Sequence, residues 1–456
     1  MQISKFKNYS LLSTLKHRIN GGVILMTMAV LAMIIANSPL ASAYHEIWEY
    51  PIVLQIGDFN LFSHHGEPLT VMQFINDALM AIFFFSVGLE IKREVMVGEL
   101  SSIRKAMLPI IAALGGMIIP VLFYFLVAHE GPESAGLAIP MATDIAFSLG
   151  VLSMFGKRVP LSLKVFLTAF AVVDDIGGIL VIAFFYTSHL SLHYLLLSAI
   201  VVAFLILGNR LGIMQRIYYI GLGIVMWYLF LQSGIHCTIA GVIIAFLIPA
   251  KPRWKVTHYV NRIRDSISKF PNYDEDEGEK IVLESAQINE LKSIEAASNR
   301  VISPLQSLEN NMHGLVNYFI MPLFAFANAG VELSGGMSSF GVVTLAVFLG
   351  LTAGKFIGLY SFTFLAIKLK LVSMPKGMTW RNLAGVSLLG GIGFTVSLFI
   401  ANLSFADHHV DLLNQAKIGV LLGTITAGVV GYIVLNIVLP KEDKKEAETD
   451  VETVQA

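Results

Sequence analysis

Cysteine is nearly absent from this chain. Cys237 is the only one among 456 residues, so no disulfide can form within the chain. Charge is scarce as well. Asp, Glu, Lys and Arg make up 14%, against about 25% in ordinary soluble domains. Their near balance, a net charge of −1, singles out no charged partner, and no nucleic acid is expected. Apolar residues fill the space instead: 55% of the chain is hydrophobic and mean hydropathy is +0.71. These values exclude an ordinary soluble domain and indicate a polytopic membrane protein.

A membrane helix needs roughly 20 mostly apolar residues, and that window picks out about twelve segments. They lie near 18–38, 70–96, 106–128, 134–153, 161–187, 190–208, 213–231, 233–249, 309–332, 339–367, 380–404 and 413–439. The split around Gly234 is the least marked. The expected fold class is therefore all-α. Lys5, Lys7, Lys16 and Arg18 ahead of an apolar run, with "ASA" at Ala41–Ala43, imitate a secretory signal. The run Gly21 to Ile35 is long for a signal core, so it is read as the first span.

Basic residues orient the spans. Almost all of the 31 Lys and Arg fall near the N-terminus, in alternate loops and in the C-terminal tail. The positive-inside rule places those loops and both termini in the cytoplasm. Lys417 is assigned to the opposite loops, and Lys355 lies inside a span. Residues 1–440 read as one membrane domain and 441–456 as a charged cytoplasmic tail, expected to be disordered. Residues 250–305, with "PNYDEDEGEK", read as a partly helical cytoplasmic insert, a solvated linker first and a docking segment second. Residues 50–63 begin "YPIVLQIGDFNLF", with β-type residues on either side of a Gly-Asp turn. A small external hairpin is expected there, and its edge could pair with another subunit.

Two segments carry helix breakers. The fourth reads "GLAIPMATDIAFSLGVL", where Pro140 removes a backbone donor and disfavours helix at Ile139. Thr143 and Asp144 are then good caps for a new helical piece. The eleventh reads "GVSLLGGIGFTVSLF", and Gly390, Gly391 and Gly393 weaken any helix there. Taken singly, a kink or close packing explains either. The fourth segment, however, is the middle of spans 3–5 and the eleventh the middle of spans 10–12. The charge rule runs the two triplets in opposite directions. Interrupted segments at matching places of inverted repeats point to a transport site near the midplane.

The same triplets hold the charges at depth: Asp144, the adjacent pair Asp174 and Asp175, and Lys355. On insertion scales each such group costs about 2.5–3.5 kcal/mol at a helix centre, so the four cost on the order of 10 kcal/mol. A structural ion pair accounts for Lys355 and one aspartate and leaves two over. Neighbours on a helix point about 100° apart, so one member of the pair is expected to face a site and the other a partner such as Lys355. Carboxylates about 4 Å apart repel by about 4 kcal/mol at an effective dielectric near 20. Crowded, desolvated carboxylates hold protons unless a cation replaces them, and their oxygens suit hard cations. No His or Cys cluster accompanies them. Broken helices also expose terminal dipoles, about half a charge each, and Asp144 would offset facing N-termini and Lys355 facing C-termini.

At these residues the chain resembles the NhaA-type bacterial Na+/H+ antiporters, themselves a standing example of inverted repeats with midplane sites. The resemblance rests on "FINDALMAIFFFSVGLEIKRE", "ATDIAFSLGVL", "VVDDIGGI", "HCTIAGV", "PLFAFANAGV" and "GGIGFTVSLFIANL". It spans about residues 15–440. It implies an electrogenic, pH-regulated exchanger that expels Na+ or Li+ for H+ by alternating access, a transporter with no cofactor and no enzyme activity. It implies the bacterial inner membrane, roles in pH homeostasis and salt tolerance, contact with membrane lipid, and a homodimer through the external hairpin. Asp174 and Asp175 would form the cation and proton site, with Asp175 the stronger Na+ ligand. Thr143 and Asp144 would sit at the crossing of the broken helices, with Lys355 pairing Asp174 or balancing the crossing. Glu90, Glu94, His236 and Glu309 would form a pH-sensing face at the cytoplasmic funnel. The insert is longer than the family's usual loop, and Asn310 stands where some relatives carry a second histidine beside His313.

Each sensor also has a plainer reading: Glu90 and Glu94 as charges at a helix end near Lys92 and Arg93, His236 as a satisfied buried ring. Asn328 reads as a backbone partner in a small-residue interface. Rival functions are an exchanger for another cation such as K+ or Ca2+, a bile-acid-like carrier, a passive cation channel, and an intramembrane aspartyl protease. The protease lacks its GxGD motif here, and the channel lacks the hydroxyls of a polar pore.

Overall fold

The computed structural model describes residues 21–440, apart from 58, 61, 65–66, 188–189, 252–255, 270–284, 332–339 and 407–408. The basic N-terminal residues, Asp58 of the hairpin turn, the "PNYDEDEGEK" stretch and the C-terminal tail lie outside the described residues.

The long apolar runs fold as helices because a helix satisfies every backbone polar group within its own segment. Six are long and apolar enough to cross a bilayer: α3 (Val71–Val97), α4 (Ile103–Val127), α7 (Leu161–Phe185), α8 (Leu192–Arg210), α15 (Val342–Lys368) and α18 (Val410–Val438). Three bent pairs reach the same standard jointly: α1 (Gly21–Ala36) with α2 (Ala41–Glu49), α5 (Gly131–Met141, a 3-10 helix) with α6 (Ile145–Ser153), and α16 (Trp380–Leu389) with α17 (Phe394–Phe405). The other expected segments form shorter or less apolar helices: α9 (Arg216–Ser233), α10 (Thr238–Leu247), and α13 (Pro304–Leu315), which runs through a π-helical turn into α14 (Met321–Asn328). Among the described residues six to nine membrane spans thus follow from length and composition, the make-up of an all-α membrane protein.

The "ASA" stretch opens α2, which turns by 113° from α1. Tyr44 and Trp48 dock it edge-on against Phe326. Lys417 lies buried inside α18. Its expected place in a loop is corrected, because that helix already begins at Val410. The hairpin region forms two small antiparallel ladders. Strand β1 (Gln55–Ile56) pairs with β2 (Phe59–Asn60), and β3 (Ser63–His64) with β4 (Glu67–Pro68). Gly57 takes φ of +63° at the first turn, a conformation that suits glycine. Within the insert, α11 (Val256–Lys269) and α12 (Ser285–Val301) pack on each other, burying Tyr259 and Ala297.

Small residues set the spacing around the site. A Cβ on Gly115 would collide with the Gly358 carbonyl, and one on Gly358 with the Gly115 carbonyl, so α4 and α15 touch backbone to backbone. Gly88 and Gly241 bring α3 and α10 together in the same way. Lys92 then reaches across from α3 and donates to the carbonyls of Phe246 and Ile248, satisfying the end of short α10. The larger apolar core runs through α1, α3, α4, α7 and α14–α18. A second core gathers α8, α9, α10 and the start of α13.

Candidate functional site

Two of the three bent pairs, α5 with α6 and α16 with α17, break at Ala142–Asp144 and Gly390–Gly393, with bends of 44° and 43°. The breaks meet. The Asp144 amide donates to the Ile392 carbonyl at 2.7 Å. Thr143 Oγ1 donates to the Gly390 carbonyl at 2.8 Å and Ser148 Oγ to the Leu389 carbonyl at 3.0 Å. Hydroxyls from one broken strand of chain thereby serve carbonyls at the end of α16. In return the Asp144 carboxylate accepts from the Phe147 amide at 3.0 Å, capping its own α6. Its other oxygen accepts from the Thr395 amide at 3.2 Å and the Thr395 hydroxyl at 2.5 Å, at the start of α17. One carboxyl group therefore faces two positive helix ends, whose dipoles favour negative charge there. Sequence reasoning missed Thr395; its signal was a hydroxyl residue just after a glycine-rich break.

Asp174 and Asp175 are both buried on α7, yet their surroundings differ. Asp174 accepts from Lys355 Nζ at 3.0 and 2.8 Å, through both carboxylate oxygens. Lys355 is fully buried and also donates to the Met141 carbonyl, at the last residue of α5. Its Nζ stands 5.6 Å from the centroid of the Phe170 ring. The ammonium thus joins a carboxylate, a helix C-terminus and an aromatic face. Asp175 makes no hydrogen bond or ion pair among the described residues, and the charged groups that act on it are Asp174, Glu90, Asp144 and Lys355. The next-door aspartate is thus spent on Lys355, and Asp175 keeps its oxygens.

Three of the four expected sensors gather at one end of α3. Arg93 lies 2.9 Å from Glu94 and 3.0 Å from Glu309. Glu94 also accepts from the Glu99 amide at 3.0 Å. Glu90 senses Arg93, Glu94, Glu309 and His313. His236 is not with them, which corrects its expected place. Its Nε2 lies 3.7 Å from Asp77 Oδ1, and its ring packs edge-on against Phe399. Asp77 and Glu90 are 13 residues apart on α3, so about 20 Å separates them along the axis at 1.5 Å per residue. The physical reason is the position of His236 in the turn before α10, at the opposite end of that helix from the Lys92 contact.

Asn328 does bond backbone, donating to the Phe324 carbonyl at 3.1 Å, but it does more. It donates to Asn76 Oδ1 at 3.0 Å and accepts from Asn402 at 2.8 Å. The three asparagines tie α3, α14 and α17. Asn76 and Asn402 carried no sequence signal beyond their polarity in apolar runs.

Comparison with known proteins follows the whole chain. The family profile described as "Na+/H+ antiporter 1" matches residues 13–435. A protein of Phocaeicola vulgatus named "Na(+)/H(+) antiporter NhaA" is 62% identical over 442 residues, covering 96% of this chain and 98% of that protein. A protein of the same name from Bacteroides fragilis is 61% identical over 424 residues, covering 93% and 96%. One from Bacteroides thetaiotaomicron is 61% identical over 428 residues, covering 94% and 97%.

Proposed function

The chain belongs to the Na+/H+ antiporter 1 family, and from that premise we propose that it is a secondary active antiporter exchanging Na+ or Li+ for H+. The observation that carries the reading is the split between the two aspartates: Asp174 held by Lys355, Asp175 buried without a partner. A desolvated carboxylate without a counter-charge keeps a proton until a cation takes its place. Proton and Na+ then compete for one set of oxygens, and that competition is antiport. Asp175 is the Na+ ligand and gives up one proton; the second is held by the Asp174–Lys355 pair, on the Lys355 ammonium, and leaves when Na+ draws the Asp174 carboxylate away. Two protons for one Na+ move net charge, so exchange is electrogenic.

Alternating access follows from the crossing. Spans 3–5 and 10–12 are inverted repeats of a twelve-span fold, and their broken middles hold one another through Thr143, Asp144 and Thr395. Such a hydrogen-bonded unit tilts as one body and exposes Asp175 to either side in turn. Glu90, Glu94 and Glu309, with Arg93, set the pH at which exchange starts. The protein lies in the bacterial inner membrane with both termini in the cytoplasm. The strands near Gln55–Pro68 serve as the contact of a homodimer, beside exposed Tyr50, Val53 and Leu54.

The test uses the purified full chain in proteoliposomes under a potassium-clamped potential. Inside-negative and inside-positive potentials should change the rate of Na+-driven proton movement in opposite directions. Equal rates at all potentials contradict electrogenic exchange. Proton movement with no dependence on Na+ or Li+ contradicts the reading as a whole.

A further inference from the structure

Away from the aspartate pair, three side chains of metal-ligating type come together. Asp77, His236 and Cys237 each offer a ligand atom, and the three atoms lie within 4.8 Å of one another. We propose that these side chains form a binding site for a borderline-soft divalent cation, Zn2+ above all, separate from the aspartate pair. The proposal rests on this geometry and not on the exchange reading. None of the three residues is among the charged groups that act on Asp175.

The donor set fits. One carboxylate, one imidazole and one thiolate is a mixture that Zn2+ accepts at bonds of about 2.0–2.3 Å, with a fourth position open. Tetrahedral bonds of that length put ligand atoms about 3.3–3.8 Å apart. The His236 Nε2 to Asp77 Oδ1 separation is already 3.7 Å. Alkali cations prefer an all-oxygen set and would leave the sulfur and nitrogen idle.

The frame is built around the cluster. Asp77 sits in the π-helical turn Ile75–Leu79 of α3, a kind of turn frequent at functional sites. Its carbonyl accepts from Trp227 Nε1 at 3.2 Å and from Cys237 Sγ at 3.4 Å, which holds this backbone in place. Gly234 at φ of +86° ends α9 and turns the chain back, placing His236 and Cys237 ahead of α10. Cys237 is the N-cap residue of that ten-residue helix. His236 Nδ1 lies 2.8 Å from Thr238 Oγ1. A metal on Nε2 selects the tautomer in which Nδ1–H donates to that hydroxyl, an outer partner of the usual kind. The cluster lines a cavity of about 420 Å3 together with Gln73, Asn76 and Asn402, which gives a route in and room for a fourth, water ligand.

Binding is simple exchange. The Cys237 thiol releases its proton to solvent, the sulfur lone pair forms the bond to Zn2+, and nothing is oxidised or reduced. The ion bridges α3 to the turn before α10.

The experiment titrates Co2+, a coloured stand-in for Zn2+, into the purified full chain in detergent with any histidine tag removed. Cys237 is the only sulfhydryl, so a thiolate-to-cobalt charge-transfer band reports this site alone. One equivalent should produce the band, and one equivalent of Zn2+ should abolish it. Cys237→Ser should lose the band. Asp77→Asn and His236→Gln should each weaken Zn2+ binding by at least about tenfold. X-ray absorption of the Zn2+ form should show a sulfur neighbour at about 2.3 Å, which needs no variant. A wild-type protein without the cobalt band, a zinc shell of nitrogen and oxygen only, or equal affinity in the Asp77 and His236 variants overturns the proposal.

Discussion

Asp174 and Asp175 share a helix turn but not a chemistry, and the difference is made by one ammonium group. Asp175→Asn is expected to abolish Na+-dependent proton release in everted membrane vesicles, followed with a pH-sensitive dye; full exchange in that variant would falsify its assignment. Lys355→Ala strands Asp174 without a counter-charge in a dry interior, and removing one partner of such a pair costs about 3–5 kcal/mol. Thermal unfolding in detergent should show that loss, and adding Asp174→Asn should recover part of it. An additive double variant would mean that the 2.8 Å contact contributes no coupling. The sequence made these residues legible because ionisable groups in apolar runs are rare and costly. It left open which aspartate takes Lys355, since adjacency on a helix fixes the angle between two side chains and not the position of a third. Thr395 was missed for a related reason: a hydroxyl among apolar residues signals nothing until its partner, Asp144, is brought across from 251 positions away.

At the scale of elements, breaks in α-helices do the work that loops do in soluble proteins. Pro140 and the glycines at 390–393 marked both breaks in the sequence, because each residue type weakens a helix locally. The inverted charge pattern put the breaks at matching places of two repeats, and their meeting was implied only by the family resemblance. Thr395→Val removes one of the donors to Asp144 and should destabilise the crossing by about 1–3 kcal/mol. Unchanged melting of that variant would argue against a hydrogen-bonded crossing. The backbone contact of α4 with α15 should be equally sensitive. Gly358→Leu must push the helices apart, at a cost of about 1–3 kcal/mol or more, and unfolding temperature measures it. His236 shows where element-scale reading fails. Its motif was recognised, but its end of the helix was not, because a residue at a helix start and one at a helix end differ only in direction along the chain.

Over the whole molecule, scarce charge and abundant apolar runs indicated an all-α membrane protein, and the match of residues 13–435 to the Na+/H+ antiporter 1 family agrees with that. The proposed dimer contact belongs to this scale: deleting residues 51–68 should shift the detergent-purified protein towards monomer in light scattering, with exchange retained. An unchanged dimer would place the contact elsewhere. The central claim is that protons and Na+ compete for the same buried carboxylates, so Na+ affinity should rise with pH. The most direct measurement is calorimetric titration of Na+ into the purified protein, repeated in buffers of different ionisation heat. The account predicts a heat that varies with the buffer and corresponds to more than one proton released per Na+, one from Asp175 and the rest from the Asp174–Lys355 pair. Na+ binding with no buffer dependence at any pH would contradict it.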